Sequence, residues 1–266
     1  MELLPIDVDK LRAQFNAAQP FRWIRLSPFL DEDFVREVAS AYPTFDDSRA
    51  QGREFSGINE RRKVQITDSS RFPRPVKRLA DVLSGRELLD KLEAITGIPR
   101  LLSDATFDGG GMHVTGPGGR LDVHVDFNYS PDIKLHRRLN ILVYLNPSWK
   151  EEWGGELELW DADVNQRHHA FYPLLNQCLI FETTETSYHG VQPVRCPPEV
   201  NRCSFAAYYY TAEPPPGWKG ETWTTRFRAR PNEVVRGSIL MPLEKMERSV
   251  RDSVQLIKRR VKDLVE

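Results

Sequence analysis

The spacing of apolar side chains divides the chain into a helical front third and a β-patterned middle. Residues 8–19 put Leu11 and Phe15 on one helical face, and Phe21 to Leu26 reads as a strand. A helix over 31–41 is marked by Phe34, Val35, Val38 and Ala41; Ser27 stands as its cap with Pro28 at its first position, and Pro43 stops it. The segment 44–72 holds Arg49, Arg53, Arg61, Arg62 and Lys63 with few apolar anchors, which predicts a mobile loop with one short strand at most. Helical spacing returns over 74–96 through Val76, Leu79, Val82, Leu88, Leu89, Leu92 and Ile95, and ends at Gly97.

From Leu101 the period falls to two. Short β-patterned runs recur at 110–115, 120–127, 138–145, 155–160, 168–173, 177–182, 189–195 and 202–211, separated by Gly, Pro and Asn clusters. Eight short strands without intervening helices predict a sandwich or barrel of jelly-roll type, on which the N-terminal helices must pack. After Pro214-Pro215-Pro216 the pattern weakens, and a C-terminal helix is expected over 243–264, where Leu243, Met246, Val250, Val254, Ile257, Val261 and Leu264 keep a heptad-like spacing. Such a helix suits packing on the domain, a homodimer, or a membrane surface, and the first two are favoured. The expected fold is therefore mainly β with flanking helices. It is one domain with helical support over 1–100, a β core over 101–213 and an extension over 214–266.

Composition narrows the function classes. Lys and Arg number 37 against 38 Asp and Glu, a net charge of −1, so no basic excess exists to hold nucleic acid through its phosphates. Cys178, Cys196 and Cys203 are too few and too scattered for a disulfide framework or a thiolate zinc site, which suits a reducing compartment. The start Met1-Glu2-Leu3-Leu4-Pro5 lacks the basic region of a signal peptide, and no run of 18 apolar residues occurs. A soluble, cytoplasmic protein is the expectation.

The chemistry lies between His124 and Arg202. In a strand, His124 and Asp126 share one face while Val123 and Val125 take the other. Polar groups on the inward face of a β core are costly unless paired or coordinated, so this pair is either a hydrogen-bonded couple or two metal ligands. His189 supplies a third ligand, completing the two-histidine, one-carboxylate set that holds Fe(II) on one face and leaves positions open. By ligand type alone the three would also bind Zn(II). Among the other histidines, His136 in the Lys134–Arg138 charge cluster is expected to be solvated and His168-His169 to sit at the surface. His113 suits either the core or the neighbourhood of the site. Arg202, alternating with Ser204 along a strand, needs an anionic partner if buried. That partner is an internal glutamate or a bound carboxylate, the distal one of 2-oxoglutarate in particular, with the Ser204 and Tyr144 hydroxyls helping.

These residues fall in an ordered series of motifs: His124-Val125-Asp126, Leu139 to Asn146, Trp153-Gly154-Gly155-Glu156-Leu157, His189 to Val194, and Arg202-x-Ser204. Over about 100 residues, from Gly109 to Thr211, the chain resembles the 2-oxoglutarate/Fe(II) dioxygenases of the prolyl 4-hydroxylase-like group, bacterial members above all. The resemblance implies a double-stranded β-helix, with His124, Asp126 and His189 matching the iron ligands. Arg202 and Tyr144 match the residues that bind the distal carboxylate of 2-oxoglutarate. The longer His189-to-Arg202 spacing, through Cys196-Pro197-Pro198-Glu199, leaves Arg195 as an alternative anchor. Related halogenases carry a small residue where this chain has Asp126, so hydroxylation is implied, with Fe(II), 2-oxoglutarate and O2 as reactants and ascorbate as reductant.

The function expected is hydroxylation of an unactivated C–H bond in a peptidyl or free amino acid, prolyl being the group's best-known substrate. The same reaction on a carbohydrate, lipid-linked or natural-product small molecule is the alternative. A cupin-like metal-binding protein without turnover is the alternative of another class. Segments 44–72, 128–137 and 149–153 are expected to frame the substrate mouth. The remaining partner expectation is a homodimer through the C-terminal helix.

Overall fold

In the computed structural model the described residues are 2–104 and 106–242; the helix expected over 243–264 lies outside them. Helix α1 (Val8–Ala17) is capped by Asp7, whose carboxylate accepts from the Lys10 amide. Strand β1 (Trp23–Leu26) follows, then α2 (Glu32–Ser40). The cap of α2 is Asp31, accepting from the Phe34 amide at 3.1 Å, and not Ser27, which lies too far upstream.

The segment expected to be a loop is ordered. It contains α3 (Phe45–Arg49), β2 (Arg53–Ser56) and β3 (Glu60–Ile66), the last two forming a hairpin. Its few apolar residues suffice because they fall at the right places. Phe45, Val64 and Ile66 are buried, while the charges that made the stretch look loop-like occupy the open face and the turns. The helical stretch beyond it is two helices, α4 (Arg74–Ser84) and α5 (Arg86–Thr96), divided at Gly85; α5 ends at Gly97, whose φ of +71° suits glycine.

The β region comprises β4 (Leu102–Ser103), β5 (Gly111–Val125), β6 (Tyr129–Ser130), β7 (Leu135–Tyr144), β8 (Leu157–Trp160), β9 (Arg167–Phe171), β10 (Cys178–Glu182), β11 (His189–Val191), β12 (Arg202–Thr211) and β13 (Arg226–Arg228). The main path through the curled sheet is β1-β10-β7-β12-β5-β11-β8-β9, and its paired strands are antiparallel. This is the jelly-roll core that the strand pattern predicts.

Two of the predicted strands, 110–115 and 120–127, are halves of β5. Its first half pairs β12, its second half pairs β11 and β13, and β3 runs along both. The turn between the halves passes through Pro117-Gly118-Gly119, where Gly118 has φ +79° and a Cβ on Gly119 would collide with Thr115. β5 thereby joins both walls of the roll.

Period-two alternation decides what each wall presents. Leu139, Ile141, Val143, Cys178, Ile180, Phe205, Ala207 and Tyr209 face outward into one core with the buried residues of α1, α2, α4 and α5. The opposite residues of the same strands, Asn140, Leu142, Ser204 and Phe181 among them, line a cleft of about 250 Å³ inside the roll. The helices thus brace the back of the wall whose front carries the site.

Candidate active site

His124 and His189 are direct cross-strand partners, β5 to β11, with ring centroids 4.3 Å apart. Asp126 follows two residues after His124, just beyond the end of β5. Its Oδ1 is 3.6 Å from His124 Nε2 and its Oδ2 3.4 Å from His189 Nε2. One ligand atom from each residue falls within 4.8 Å of the others, and all three residues line the cleft. The outer ring nitrogens are engaged: His124 Nδ1 sits 2.9 Å from the Asp122 carbonyl oxygen, and His189 Nδ1 3.0 Å from that of Ser187. A proton on each Nδ1 donates to these carbonyls, so each Nε2 turns its lone pair toward Asp126. Two imidazole nitrogens and a carboxylate, converging and with their orientation fixed from behind, fit a divalent metal ion.

Charge in the site is set by burial and by neighbours. Burial, helped by the adjacent His124 ring, depresses the His189 imidazole to about 4, against the opposing pull of Asp126. Burial would lift the Asp126 carboxyl, yet the Arg137 guanidinium and the two imidazoles hold it well below the usual carboxylate range. Both shifts favour the ligand forms, a neutral histidine and an ionised aspartate.

Arg137 and Asn140 were not among the residues expected at the site. Asn140 Nδ2 donates to Asp126 Oδ2 at 2.6 Å and its Oδ1 accepts from Arg137 Nε at 2.9 Å; Arg137 Nη2 lies 3.2 Å from the same carboxylate oxygen. The guanidinium is stacked 3.4 Å from the Tyr208 ring centroid and 4.7 Å from that of Phe127. Regular alternation along β7 would put Arg138, not Arg137, on the face of Asn140. An irregularity in the β7–β12 pairing, where Tyr209 opposes Leu139 and Tyr210 opposes Arg137, reverses that, and it has no signature in residue type.

At the other end of the cleft lies Arg202, 4% exposed and ion-paired with no carboxylate among the described residues. Its Nε donates to the Gly155 carbonyl at 2.7 Å, and the guanidinium lies 5.2 Å from the Tyr144 ring centroid. Gly155, at φ +71°, admits this approach, since a Cβ there would stand 3.2 Å from Arg202 Cδ. Tyr144 itself is fully buried behind the cleft with no hydrogen-bond partner at its hydroxyl; burial pushes that hydroxyl up to about 12 despite Arg202 beside it. A buried cation beside a tyrosine hydroxyl, opening on a cleft with Ser204, is suited to hold an anion, and Glu156, whose charge reaches it, forms no ion pair with it. Arg195 is exposed and outside the cleft lining.

The remaining histidines divide differently from expectation. His113 lines the cleft between Gln65 and Gly109 and is held neutral, its imidazole well below its ordinary range through burial and the nearby Lys63 cation. His136 is 6% exposed rather than solvated, because Tyr129 and Trp218 enclose its ring at 5.0 and 4.8 Å. His168 is exposed, and the neighbouring His169 is half-buried with Nε2 3.0 Å from the Gln19 carbonyl oxygen.

Arg53, Phe55, Glu60 and Lys63 from the β2–β3 hairpin line the mouth of the cleft, as expected of segment 44–72. Of segment 128–137 Arg137 lines the cleft, but beside Asp126 rather than at its mouth, and Trp149 and Trp153 do not line it. Thr225 and Phe227, next to and within β13, form a wall that nothing in the sequence pattern marked. Among the described residues no helix is long and apolar enough to cross a membrane.

Residues 110–210 match the model of the 2OG-Fe(II) oxygenase superfamily. Over 78 residues the chain is 33% identical to a prolyl 3-hydroxylase of Mus musculus, OGFOD1, a match covering 28% of this chain and 14% of that protein. The aligned part is thus a small share of the relative's length. Among solved structures, the fold is similar to a Trichoplax adhaerens prolyl hydroxylase in complex with a hypoxia inducible factor peptide fragment, with a TM-score of 0.54 and 19% identity over 76% of this chain and 88% of that one. It is also similar to a Pseudomonas putida prolyl-4-hydroxylase, with a TM-score of 0.53 and 16% identity over 75% of this chain and 98% of that one. At these identities the structural likeness establishes the fold.

Proposed function

We propose, from the premise that residues 110–210 belong to the 2OG-Fe(II) oxygenase superfamily, that the protein hydroxylates an unactivated C–H bond of a peptidyl or free amino acid of prolyl type. The observation that carries the reading is the pairing of two features in one cleft: a convergent His124–Asp126–His189 set, and a buried Arg202 free of any carboxylate partner at the far end. A plain metal store has no use for the second feature. The sequence relative, a prolyl 3-hydroxylase, supports the prolyl type of substrate.

The net reaction inserts one atom of O2 into the substrate C–H bond, and the other enters 2-oxoglutarate as it becomes succinate and CO2. When bound, Fe(II) supplies the redox chemistry that couples the two halves. The protein's part is to position and protect. His124 and His189, fixed through Nδ1, would offer Nε2 to the metal, with Asp126 as the third ligand. Asn140 and Arg137 hold Asp126 Oδ2, which leaves Oδ1 to ligate. Arg202 binds the distal carboxylate of 2-oxoglutarate through a charge-assisted pair, the Ser204 and Tyr144 hydroxyls completing its shell. His113, kept neutral, adds no second cation there. Leu142, Leu157 and Val191 line the same end and exclude water from it.

The test is succinate release from 2-oxoglutarate with Fe(II), O2 and ascorbate across a library of peptides and metabolites. Stimulation by proline-containing peptides or free amino acids supports the reading. Stimulation only by carbohydrates or lipid-linked compounds moves it to another substrate class. No succinate under any condition sinks it.

A further inference from the structure

The segment after β12 runs back across the outer surface of the wall that carries the candidate metal ligands. It lies wholly outside the block that matches the superfamily, and it is tied to that wall at three places.

The first tie reaches Asp126. Trp223 Nε1 donates to the Asp126 carbonyl oxygen at 2.9 Å, and the Trp223 amide donates to the side chain of the buried Asn128 at 2.9 Å. Asn128 Nδ2 in turn donates to the Glu221 carbonyl at 3.0 Å. The second tie is β13, which pairs the end of β5 with Phe227 opposite His124, the two rings 5.4 Å apart. The third is a cluster of buried charge. Asp122 and Glu158 are fully buried behind the site, and Arg230, itself 4% exposed, donates to Glu158 at 2.7 Å with its other arm 3.6 Å from Asp122. Arg236 donates both to Asp122 and to the Ile58 carbonyl of the β2–β3 hairpin, the latter at 2.6 Å.

Asp122 is where this cluster meets the site, for its backbone carbonyl is the partner of His124 Nδ1. Asp122 points outward although His124 points in, because the β5–β11 pairing shifts between Leu121 and His124. The residue therefore presents its side chain to the strap and its carbonyl to the histidine. A carboxylate held by Arg120 from its own strand on Oδ1 and by Arg236 from the strap on Oδ2, with Arg230 alongside, fixes the peptide unit on which the imidazole rests.

We infer that residues 221–236 act as a strap that positions the metal ligands from behind, Trp223 acting on Asp126 and Arg236, through Asp122, on His124. The inference rests on the reading of His124, Asp126 and His189 as ligands. Of Trp223, Phe227, Arg230 and Arg236 only Phe227 lines the cleft, so the effect of the other three is one of orientation. Groups that orient ligands from outside the first coordination shell are worth about 10- to 100-fold in metal affinity.

The experiment is a Co(II) titration of the metal-free full chain, followed by calorimetry and by the visible ligand-field bands, with its melting temperature measured alongside. Trp223→Phe keeps an aromatic ring, though a smaller one, and removes one donor; Arg236→Gln removes one charge. Each should weaken Co(II) binding about tenfold and shift the bands, while Trp223→Phe moves the metal-free melting temperature by only about 3 °C, the size of one hydrogen bond in a chain of this length. The comparison variant is Arg228→Gln, which deletes another strap hydrogen bond, to the Ala162 carbonyl, and a contact with the Tyr188 ring, but no hydrogen bond to a ligand or to Asp122. It should bind Co(II) as the wild type does. If Trp223→Phe and Arg236→Gln bind with wild-type affinity, or if Arg228→Gln is equally weakened, the strap does not position the ligands. If the wild type takes up no Co(II), the metal-site reading fails first and the inference with it.

Discussion

His124, Asp126, His189 and Arg202, at the depth of the cleft, come from three strands of the roll, whereas its mouth is made by residues added from either side of them. Arg53, Phe55, Glu60 and Lys63 arrive on the β2–β3 hairpin, and Thr225 and Phe227 on the C-terminal strap. The deep residues owe their direction to strand alternation and to the hydrogen bonds that hold them from behind. The mouth residues sit on elements with separate anchors, Val64 and Ile66 for the hairpin and Arg230 with Glu158 for the strap. This separation lets one part hold a reaction fixed while the other is free to set what enters.

The sharpest way to break that division is to remove a deep ligand. His189→Ala or Asp126→Ala should abolish metal uptake and substrate-dependent succinate release together, and full activity in either variant would refute the assignment. Next in size is damage to a mouth anchor. Ile66, fully buried, should cost about 2–5 kcal/mol when cut to alanine, read as a lower denaturant midpoint, because the hairpin loses its hold on the core. If Ile66→Ala instead left stability intact, the hairpin would not be anchored as described.

A smaller effect is expected at the anion end. Arg202→Ala removes a charge-assisted pair of about 1.5–3 kcal/mol, seen as a raised 2-oxoglutarate requirement with little change for Arg195→Ala. The reverse ranking would shift the anchor to Arg195.

The smallest concerns His113, where mouth and depth meet. Its folded imidazole is depressed, so the unfolded chain binds the proton more readily. The stability associated with its neutral form is fully present above the ordinary imidazole value near 6.5 and is lost as pH falls through that value toward the lower folded one. His113→Gln should therefore lose less melting temperature than the wild type between about pH 7 and pH 5.5; equal losses would mean that His113 does not titrate as described.

How much of this could be read from residue order follows the same division. His124 and Asp126 were legible because two polar residues alternating with valines in a β pattern demand an explanation, and His189 and Arg202 because they stand in an ordered set of motifs. Arg137 is hidden by a break in register that turns it inward, and nothing in a run of Lys, His and Arg tells which of two buried arginines will face the cleft. The hairpin reads as a loop because its charge is dense and its anchors few, yet Phe45, Val64 and Ile66 are enough. The strap was illegible for a different reason. Apart from the three-residue β13, its contacts are single hydrogen bonds and ion pairs to residues about 100 positions earlier, which leave no periodic trace.

The course of β5 carries one more consequence, for the order in which the molecule can form. This strand pairs with partners that begin at residue 60 on one side and end at 228 on the other. Pairings so far apart in sequence are slow to close. During synthesis His124 emerges well before His189, its cross-strand partner, and earlier still than the strap. A newly made chain therefore holds half of its histidine pair until most of the protein has been translated, and metal capture belongs among the last events of folding.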